Sequence, residues 1–159
     1  MGLIPVIKEF LIAHRIELIE GNYQKLFDDF SSYCKEHGAE DWVTEHDCDL
    51  LVILNGIGVT TKEILSKMTE IPTYMLYFCD DEKVIFPENI TKIHHQAMNG
   101  NEVITSVVIP KSVTYIGECN FPDRLENLTL PKAFEGKLEY ISGYTKDMLD
   151  DGDIDIKFI

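Results

Sequence analysis

The stretch that decides the fold is Glu102 to Phe121, EVITSVVIPKSVTYIGECNF. It carries β-branched residues on both sides of Pro110 and ends its second half near Gly117. This pattern predicts a short strand that turns at the proline and then resumes. Whether the pattern is local or belongs to a larger architecture depends on whether it recurs along the chain.

The pattern recurs at a nearly constant spacing. KVIFP, SVVIP and NLTLP end at Pro87, Pro110 and Pro131, so the period lies in the low twenties. Such a period is typical of a solenoid with one or two short strands per turn, where each unit buries its apolar side only against its neighbours. Four pairs of positions that follow the first two prolines share the offset between Pro87 and Pro110: Ile90 and Val113, Thr91 and Thr114, Ile93 and Ile116, and Met98 and Phe121.

Alternation within each copy sorts its residues into two faces. One parity is apolar in all three copies and is predicted to face the core: Val84, Phe86, Val107, Ile109, Leu128 and Leu130. The other parity is mixed and is predicted to form an outer strip: Lys83, Ile85, Ser106, Val108, Asn127 and Thr129. This outer strip is either a plain solvated strand face or a shallow docking surface, since half-exposed strands use β-branched residues in both cases.

These residues resemble the BspA-like leucine-rich repeat of bacterial, protist and phage proteins, whose units read roughly L-T-S-V-x-I-P-x-S-V-T-x-I-G-x-x-A-F. The resemblance covers about Ile71 to Phe134, and it includes a leading half-unit in which Cys79 falls at the family's frequent cysteine position. It implies a right-handed solenoid that binds other proteins, and it implies no catalytic chemistry.

The repeat fades after Phe134 into EGKLEYISGY, which suggests a terminal cap. The segment DIDIKFI, Asp153 to Ile159, alternates between polar and apolar residues and is predicted to form a final strand that closes the edge. The predicted fold class is α+β, with an α-helical module over residues 1–70 followed by a short β-rich leucine-rich-repeat solenoid over residues 71–159.

The first seventy residues show the period of helices. A stripe from Val6 to His14 predicts one amphipathic helix, and a stripe from Tyr23 to Cys34 predicts the clearest helix of the chain. CDLLVILNG ends at Gly56, and Thr60 begins a capping-box pattern for a further helix. We therefore predict four short helices that pack together.

Net charge excludes some classes of function. The chain has 14 Lys plus Arg against 28 Asp plus Glu, a net charge of −14. A surface of this sign repels phosphate backbones and anionic lipids, so we predict no direct binding to nucleic acid or membranes. The start, MGLIPVIKEFLIAHR, lacks a cationic region before its apolar residues and is interrupted by a proline and charges, so the expected location is the cytoplasm.

No motif for catalysis, a cofactor or a metal is complete. LLVILNGIGVTTKE has glycines near a lysine, but it lacks the spacing of a P-loop or a Rossmann turn. A helix that stops at Gly56 and a second helix capped by Thr60 explain it more simply. The four cysteines form no C-x-x-C pair, and adjacent His94 and His95 would point to opposite faces of a strand. We predict a protein that is not an enzyme and has no cofactor or metal.

Acidic residues form the last distinctive pattern. Carboxylates that share one face could imitate a phosphate track and occupy the groove of a DNA- or RNA-handling protein. The alternative is that they only keep the protein soluble. The residues concerned are Glu40, Asp41, Glu45, Asp47, Asp49, Asp80, Asp81, Glu82, Asp147, Asp150, Asp151, Asp153 and Asp155.

Three classes of function follow from these patterns. The first is a non-catalytic protein-interaction module, whose sharpest form is a phage-type inhibitor of a host protein such as a nucleic-acid-handling or defence enzyme. The second is a scaffold or surface component that self-associates through solenoid edges or through the outer strip. The third is a nucleotide-dependent enzyme that uses Gly56 to Lys62, and it has the least support because the motif spacing fails.

Overall fold

The computed structural model describes residues 3–37 and 47–159, in which a group of helices precedes a series of short strands. The helices before the first strand are α1 Leu3–Ala13, α2 Arg15–Glu20, α3 Tyr23–Glu36, α4 Asp47–Gly56 and α5 Thr61–Ser66. The strands are β1 Glu70–Ile71, β2 Lys83–Ile85, β3 Lys92–Ile93, β4 Ser106–Val108, β5 Tyr115–Ile116, β6 Asn127–Leu130 and β7 Asp155–Phe158. Between β6 and β7 lie a 3-10 helix Lys132–Lys137, α6 Leu138–Ser142 and α7 Lys146–Asp150.

The helical region follows the sequence prediction with one difference. The first predicted stripe forms α1, but a second short helix, α2, follows it directly and was not predicted. The two helices are separated at His14, whose ring stacks on Phe10 at 4.1 Å while its Nδ1 lies 3.0 Å from the Phe10 carbonyl oxygen. The predicted cap of α5 is confirmed, since the Thr60 hydroxyl accepts a hydrogen bond from the Glu63 N–H at 3.1 Å.

The strands form two parallel sheets. β1, β3 and β5 lie in that order in a three-stranded sheet, and β2, β4, β6 and β7 lie in that order in a four-stranded sheet. Each of the first three copies of the repeat therefore contributes one strand to each sheet. Lys83 lies opposite Ser106, and Ser106 lies opposite Asn127, so the register reproduces the predicted spacings. The fold is a mixture of helices and β-sheets, as predicted, and the structure shows that the sheets are parallel.

The two faces of the repeat are also as predicted. The six residues assigned to the core are at most 3% exposed. They belong to one described hydrophobic cluster, which runs from Val6 in α1 through Leu26 in α3 and Met68 to Tyr144 near the C-terminal end. The helices and the strands thus share a core. The division into domains at residues 70 and 71 stays a prediction.

The predicted closing strand is present as β7, which pairs in parallel with β6. Asp155 lies opposite Asn127, so this last copy is longer than the copies before it. This longer copy contains the 3-10 helix, α6 and α7 at the position in chain order that β3 and β5 hold in the preceding copies. The repeat therefore ends in a helical segment followed by a single strand.

Candidate protein-binding surface

The outer strip lies on the outward face of the four-stranded sheet, and its predicted residues come together there. Parallel register aligns them in two rows, which β7 extends by one position each. The first row is Lys83, Ser106, Asn127 and Asp155, and the second row is Ile85, Val108, Thr129 and Lys157. Sequence reasoning counted Asp155 only as an acidic residue and missed Lys157, although the alternation of DIDIKFI could have assigned both to this face.

The chemistry of the outer strip is mixed. Ile85 is 57% exposed, whereas Val108 and Thr129 beside it are partly buried. Neighbouring strands lie about 4.8 Å apart, so the four-strand row is about 14 Å wide from Lys83 to Asp155. A β-branched row of Ile85, Val108 and Thr129, with Lys83 at one side of the sheet and Asp155 and Lys157 at the other, is a surface on which an extended or flat segment of another protein can pack.

Some of the acidic residues share one end of this sheet. Asp80, Asp81 and Glu82 are exposed and lead directly into β2, while Asp153 and Asp155 lie at the start of β7. Because all four strands are parallel, both groups lie at the end of the sheet where the strands begin. Exposed Glu126, which immediately precedes β6, lies between them and was not predicted.

The other acidic candidates lie elsewhere. Asp147 and Asp150 belong to α7, and Asp151 follows it. Asp49 is on α4, which packs against α3. Glu40, Asp41 and Glu45 lie outside the described residues, as does the side chain of Asp47, whose backbone begins α4.

The three-stranded sheet has an outward face of its own, which sequence reasoning missed. Lys92 Nζ lies 3.5 Å from Glu70 Oε1, and His94 Nε2 lies 3.9 Å from Glu70 Oε2. Tyr115 is 46% exposed beside them, with its ring 6.2 Å from that of His94. The alternation of polar and apolar residues in TKIH and TYI could have predicted this outward face. This face is largely paired internally, and Tyr115 is its exposed aromatic residue.

A small exposed apolar group lies in the turn before β2. The rings of Tyr77 and Phe78 meet edge to face at 4.8 Å, and with Val103 they line an open cavity of about 360 Å³. All three side chains are exposed. The aromatic run YMLYF was the signal in the sequence, but no periodic argument assigned it to the surface.

The glycine-rich stretch adopts the simpler of its two predicted forms. α4 ends at Gly56 and Thr60 caps α5, so the run before the glycines is a helix and not a strand. Lys62 lines a cavity of about 370 Å³ at this turn, together with Asp80 and Asp81. Two carboxylates beside the cavity oppose the negative charge of a nucleotide phosphate.

The described titratable groups show no arrangement typical of nucleophilic chemistry. Burial is the main cause of a raised pKa at the Cys79 thiol, which favours the unreactive protonated form. Burial also raises the pKa of Tyr144, with a smaller contribution from Asp123. Within residues 3–37 and 47–159, no three His, Cys, Asp or Glu side chains are grouped closely enough to hold a metal ion.

The repeat geometry agrees with a comparison to known families. A family model described as BspA type leucine rich repeat region (6 copies) matches residues 55–145. The chain belongs to this family. The match confirms the predicted resemblance and extends it beyond Ile71 to Phe134 at both ends, into α4 on one side and past α6 on the other. Leucine-rich-repeat domains generally mediate protein–protein interaction.

No curated protein and no solved structure matches the chain. In the part of the chain that the structure describes, none of the helices combines the length and the apolar character needed to span a bilayer.

Proposed function

We propose that this protein is a non-catalytic protein-interaction module in which a short leucine-rich-repeat solenoid presents the outer strip to another protein. The observation that carries the proposal is the register of the four-stranded sheet, which aligns eight outward residues in two rows. Strands that recur at a nearly constant period and are buried on their inner side support the solenoid.

The chemistry of the outer strip limits the class of partner. Ile85 and Val108 offer an apolar patch, while Lys83, Asp155 and Lys157 carry charges of both signs around it. A phosphate backbone would meet no continuous cationic surface here, since the basic residues stand at opposite ends of the rows. A protein segment with an apolar centre and mixed charges at its rim fits this strip best.

Site-specific photo-crosslinking tests the proposal. A benzophenone amino acid at Ile85 should form a covalent adduct with one partner in bacterial lysate, and Val108→Asp in the same chain should reduce the adduct about tenfold because it places a charge at the centre of the contact. The matched control carries the benzophenone at Tyr115, which is comparably exposed on the other sheet. Adduct formation only from Tyr115, or adduct from Ile85 that Val108→Asp leaves unchanged, would contradict the proposal.

A second candidate is the acidic mimic, in which a phage-type inhibitor occupies the nucleic-acid groove of a host enzyme. Its support is that Asp80, Asp81, Glu82 and Asp153 lie at the same end of the sheet, where the strands begin. Carboxylates in that position attract a basic groove over about a Debye length and lose this attraction as salt rises.

Salt and competing DNA test the mimic. A captured partner should dissociate at high salt and in excess DNA, and neutralising this end of the sheet with D80N/D81N/E82Q should weaken capture. The control E118Q/E135Q/E139Q removes the same charge from exposed residues that do not precede strands of this sheet. A complex that resists both salt and DNA, or that both triple variants weaken equally, argues against mimicry and leaves the outer strip as the contact.

A further inference from the structure

The edges of the three-stranded sheet are covered. On the β1 side, the side-chain oxygen of Gln24 in α3 accepts hydrogen bonds from the N–H groups of Thr69 at 2.9 Å and Glu70 at 3.0 Å. In the turn that follows β5, the N–H groups of Cys119 and Asn120 donate to carbonyl oxygens of α6 at 3.0 and 2.7 Å, so α6 is hydrogen-bonded to this end of the sheet. Such covering is how proteins prevent strand edges from pairing with other chains.

The first edge of the four-stranded sheet is different. On either side of β2, the Phe86 N–H donates to the Val108 carbonyl oxygen at 3.0 Å and the Glu82 carbonyl oxygen accepts from the Ser106 N–H. The backbone N–H and C=O groups of even-numbered residues therefore face β4. Lys83 and Ile85 therefore direct their backbone N–H and C=O groups away from the sheet. A cleft of about 330 Å³ runs along this side between β2 and α5, and it is lined mainly by apolar atoms and flanked by Lys62.

The last edge of the same sheet is its counterpart. At β7, the Asp155 N–H donates to the carbonyl oxygen of Glu126 just before β6, and the Ile159 N–H just after β7 donates to that of Leu130, each at 2.8 Å. The backbone groups of Ile156 and Phe158 therefore face outward from the sheet. The side chains of Ile156 and Phe158 continue the two inward-facing columns, Val84–Val107–Leu128 and Phe86–Ile109–Leu130, but are only partly buried. Leu128 and Leu130, their neighbours in β6, are 2% and 0% exposed. Among residues 3–37 and 47–159, no further strand therefore covers these inward-facing columns beyond β7.

We propose that β7 of one copy pairs with β2 of the next copy, in parallel, so that the four-stranded sheet continues from chain to chain. Both edges run in the same direction within the sheet, as parallel continuation requires. In the register of the existing rows, Asp155 of one copy stands beside Lys83 of the next, and Ile156 stands beside Val84. The cleft beside β2 is also lined by Lys62, a second cation near the expected place of Asp155, and by the carboxylate of Asp81.

The pairing is heterologous, because the two contacting edges are different surfaces of the molecule. Such contacts do not close at a dimer unless the rotation between copies completes a ring, so the assembly grows by successive addition. The proposal goes beyond the function proposed above and does not depend on it, since the outer strip stays exposed and its rows lengthen in the assembly.

Sedimentation velocity as a function of protein concentration, in about 150 mM salt to screen the net charge of −14, tests the pairing. The mass should rise past a dimer as concentration approaches about 1 mM, where even a contact with a millimolar Kd is substantially populated. Lys83→Asp and Asp155→Lys should each weaken association about tenfold, and the double variant should recover it because the charge pair is restored with reversed sign. Lys111→Asp, at an exposed lysine outside the strands, is the control and should have no effect.

Hydrogen exchange on the unmodified chain provides a readout that needs no variant. The amides of Ile85, Ile156 and Phe158 should gain protection as concentration rises, while those of the three-stranded sheet should not change. The proposal would be overturned by a monomer at all concentrations or by an assembly that stops at a dimer. Association that neither charge change weakens, or protection confined to other regions, would also overturn it.

Discussion

At the scale of single residues, two buried amides join neighbouring turns of the repeat. Asn101 donates to carbonyl oxygens of the turn 76–79 at 2.8 to 3.1 Å and accepts from the N–H groups of Val103 and Ile104 at 2.8 Å each. Asn120 joins the turns that follow β3 and β5 in the same way. Both side chains are almost fully buried, so their hydrogen bonds satisfy buried backbone groups in place of water.

Replacing Asn101 should therefore be costly. Asn101→Leu keeps a similar size but removes the partners of several buried backbone groups, and we expect the free energy of unfolding to fall by about 3 kcal/mol. Urea denaturation followed by circular dichroism measures the loss. Asn127→Leu, on the exposed outer strip, is the control and should change stability by less than about 0.5 kcal/mol. Equal effects of the two changes would show that the amide network does not stabilise the turns.

Gly117 is required by a close approach between successive copies. A Cβ at this position would lie 2.6 Å from the Cα of His95, a contact with backbone that no side-chain rotation relieves. Gly117→Ala should lower the free energy of unfolding by about 1–3 kcal/mol. Gly136→Ala is a matched control, because no atom lies within 4 Å of its Cβ, and it should be neutral or slightly stabilising. The same midpoint shift for both variants in thermal unfolding would contradict this view of the turn.

Tyr144 should make stability sensitive to alkaline pH. Burial raises the pKa of its phenol, which donates to the Pro122 carbonyl oxygen. A group whose pKa is raised by folding stabilises the protein fully below its unfolded pKa of about 10, and this contribution declines as pH rises above that value. Urea midpoints from pH 8 to pH 11 should fall more steeply for the native chain than for Tyr144→Phe, and parallel curves would show that Tyr144 is not the cause.

At the scale of the elements, the turns between strands share an unusual backbone conformation. Tyr74, Gln96 and Cys119 recur at the period of the repeat, and all have positive φ, at 59°, 56° and 52°. The Tyr74 N–H donates to the Gln96 carbonyl at 3.3 Å, so the turns stack in register. Side chains are disfavoured in this region because Cβ crowds the following carbonyl, yet all three stacked turns adopt it.

Relieving this strain in one turn should stabilise the protein. Cys119→Gly removes about 1–2 kcal/mol of left-handed strain and adds a smaller entropic cost, so the free energy of unfolding should rise by about 0.5–1 kcal/mol. Glu118→Gly, one residue earlier and outside the positive-φ positions, should lower it. Urea denaturation of both variants under reducing conditions provides the comparison. A loss of stability in Cys119→Gly would mean that the Cys119 side chain contributes more through packing than its backbone costs.

At the scale of the whole molecule, the shared core should couple the helices to the sheets. Leu26→Ala in α3 opens a cavity in the one described cluster, and we expect hydrogen-exchange protection of both the α3 and the β4 amides to fall by about 3 kcal/mol. Ile19→Ala removes a side chain that is 82% exposed and should change neither. Loss of protection in α3 alone would instead support two independent domains, divided near residue 70.

The sequence by itself determined the features that depend on local pattern. The proline spacing and the alternation around it determined the short strands, their spacing and the inward-facing residues from Val84 to Leu130, because every copy must bury the same positions against its neighbours. Helix periodicity and the Thr60 cap likewise determined most of the helical region, since both signals lie within a few residues of the chain.

Only the tertiary structure decided which distant groups meet. Gln24 in α3 covers β1, far from it along the chain, and Lys157 joins the outer strip through a copy whose length departs from the period. The tertiary structure also decided that some acidic residues lie where the strands of the four-stranded sheet begin and others in α7, which the sequence pattern did not separate. A repeating pattern specifies how equivalent positions stack, but the ends of the stack have no equivalent neighbour. Their covering therefore depends on packing between elements that the period does not relate.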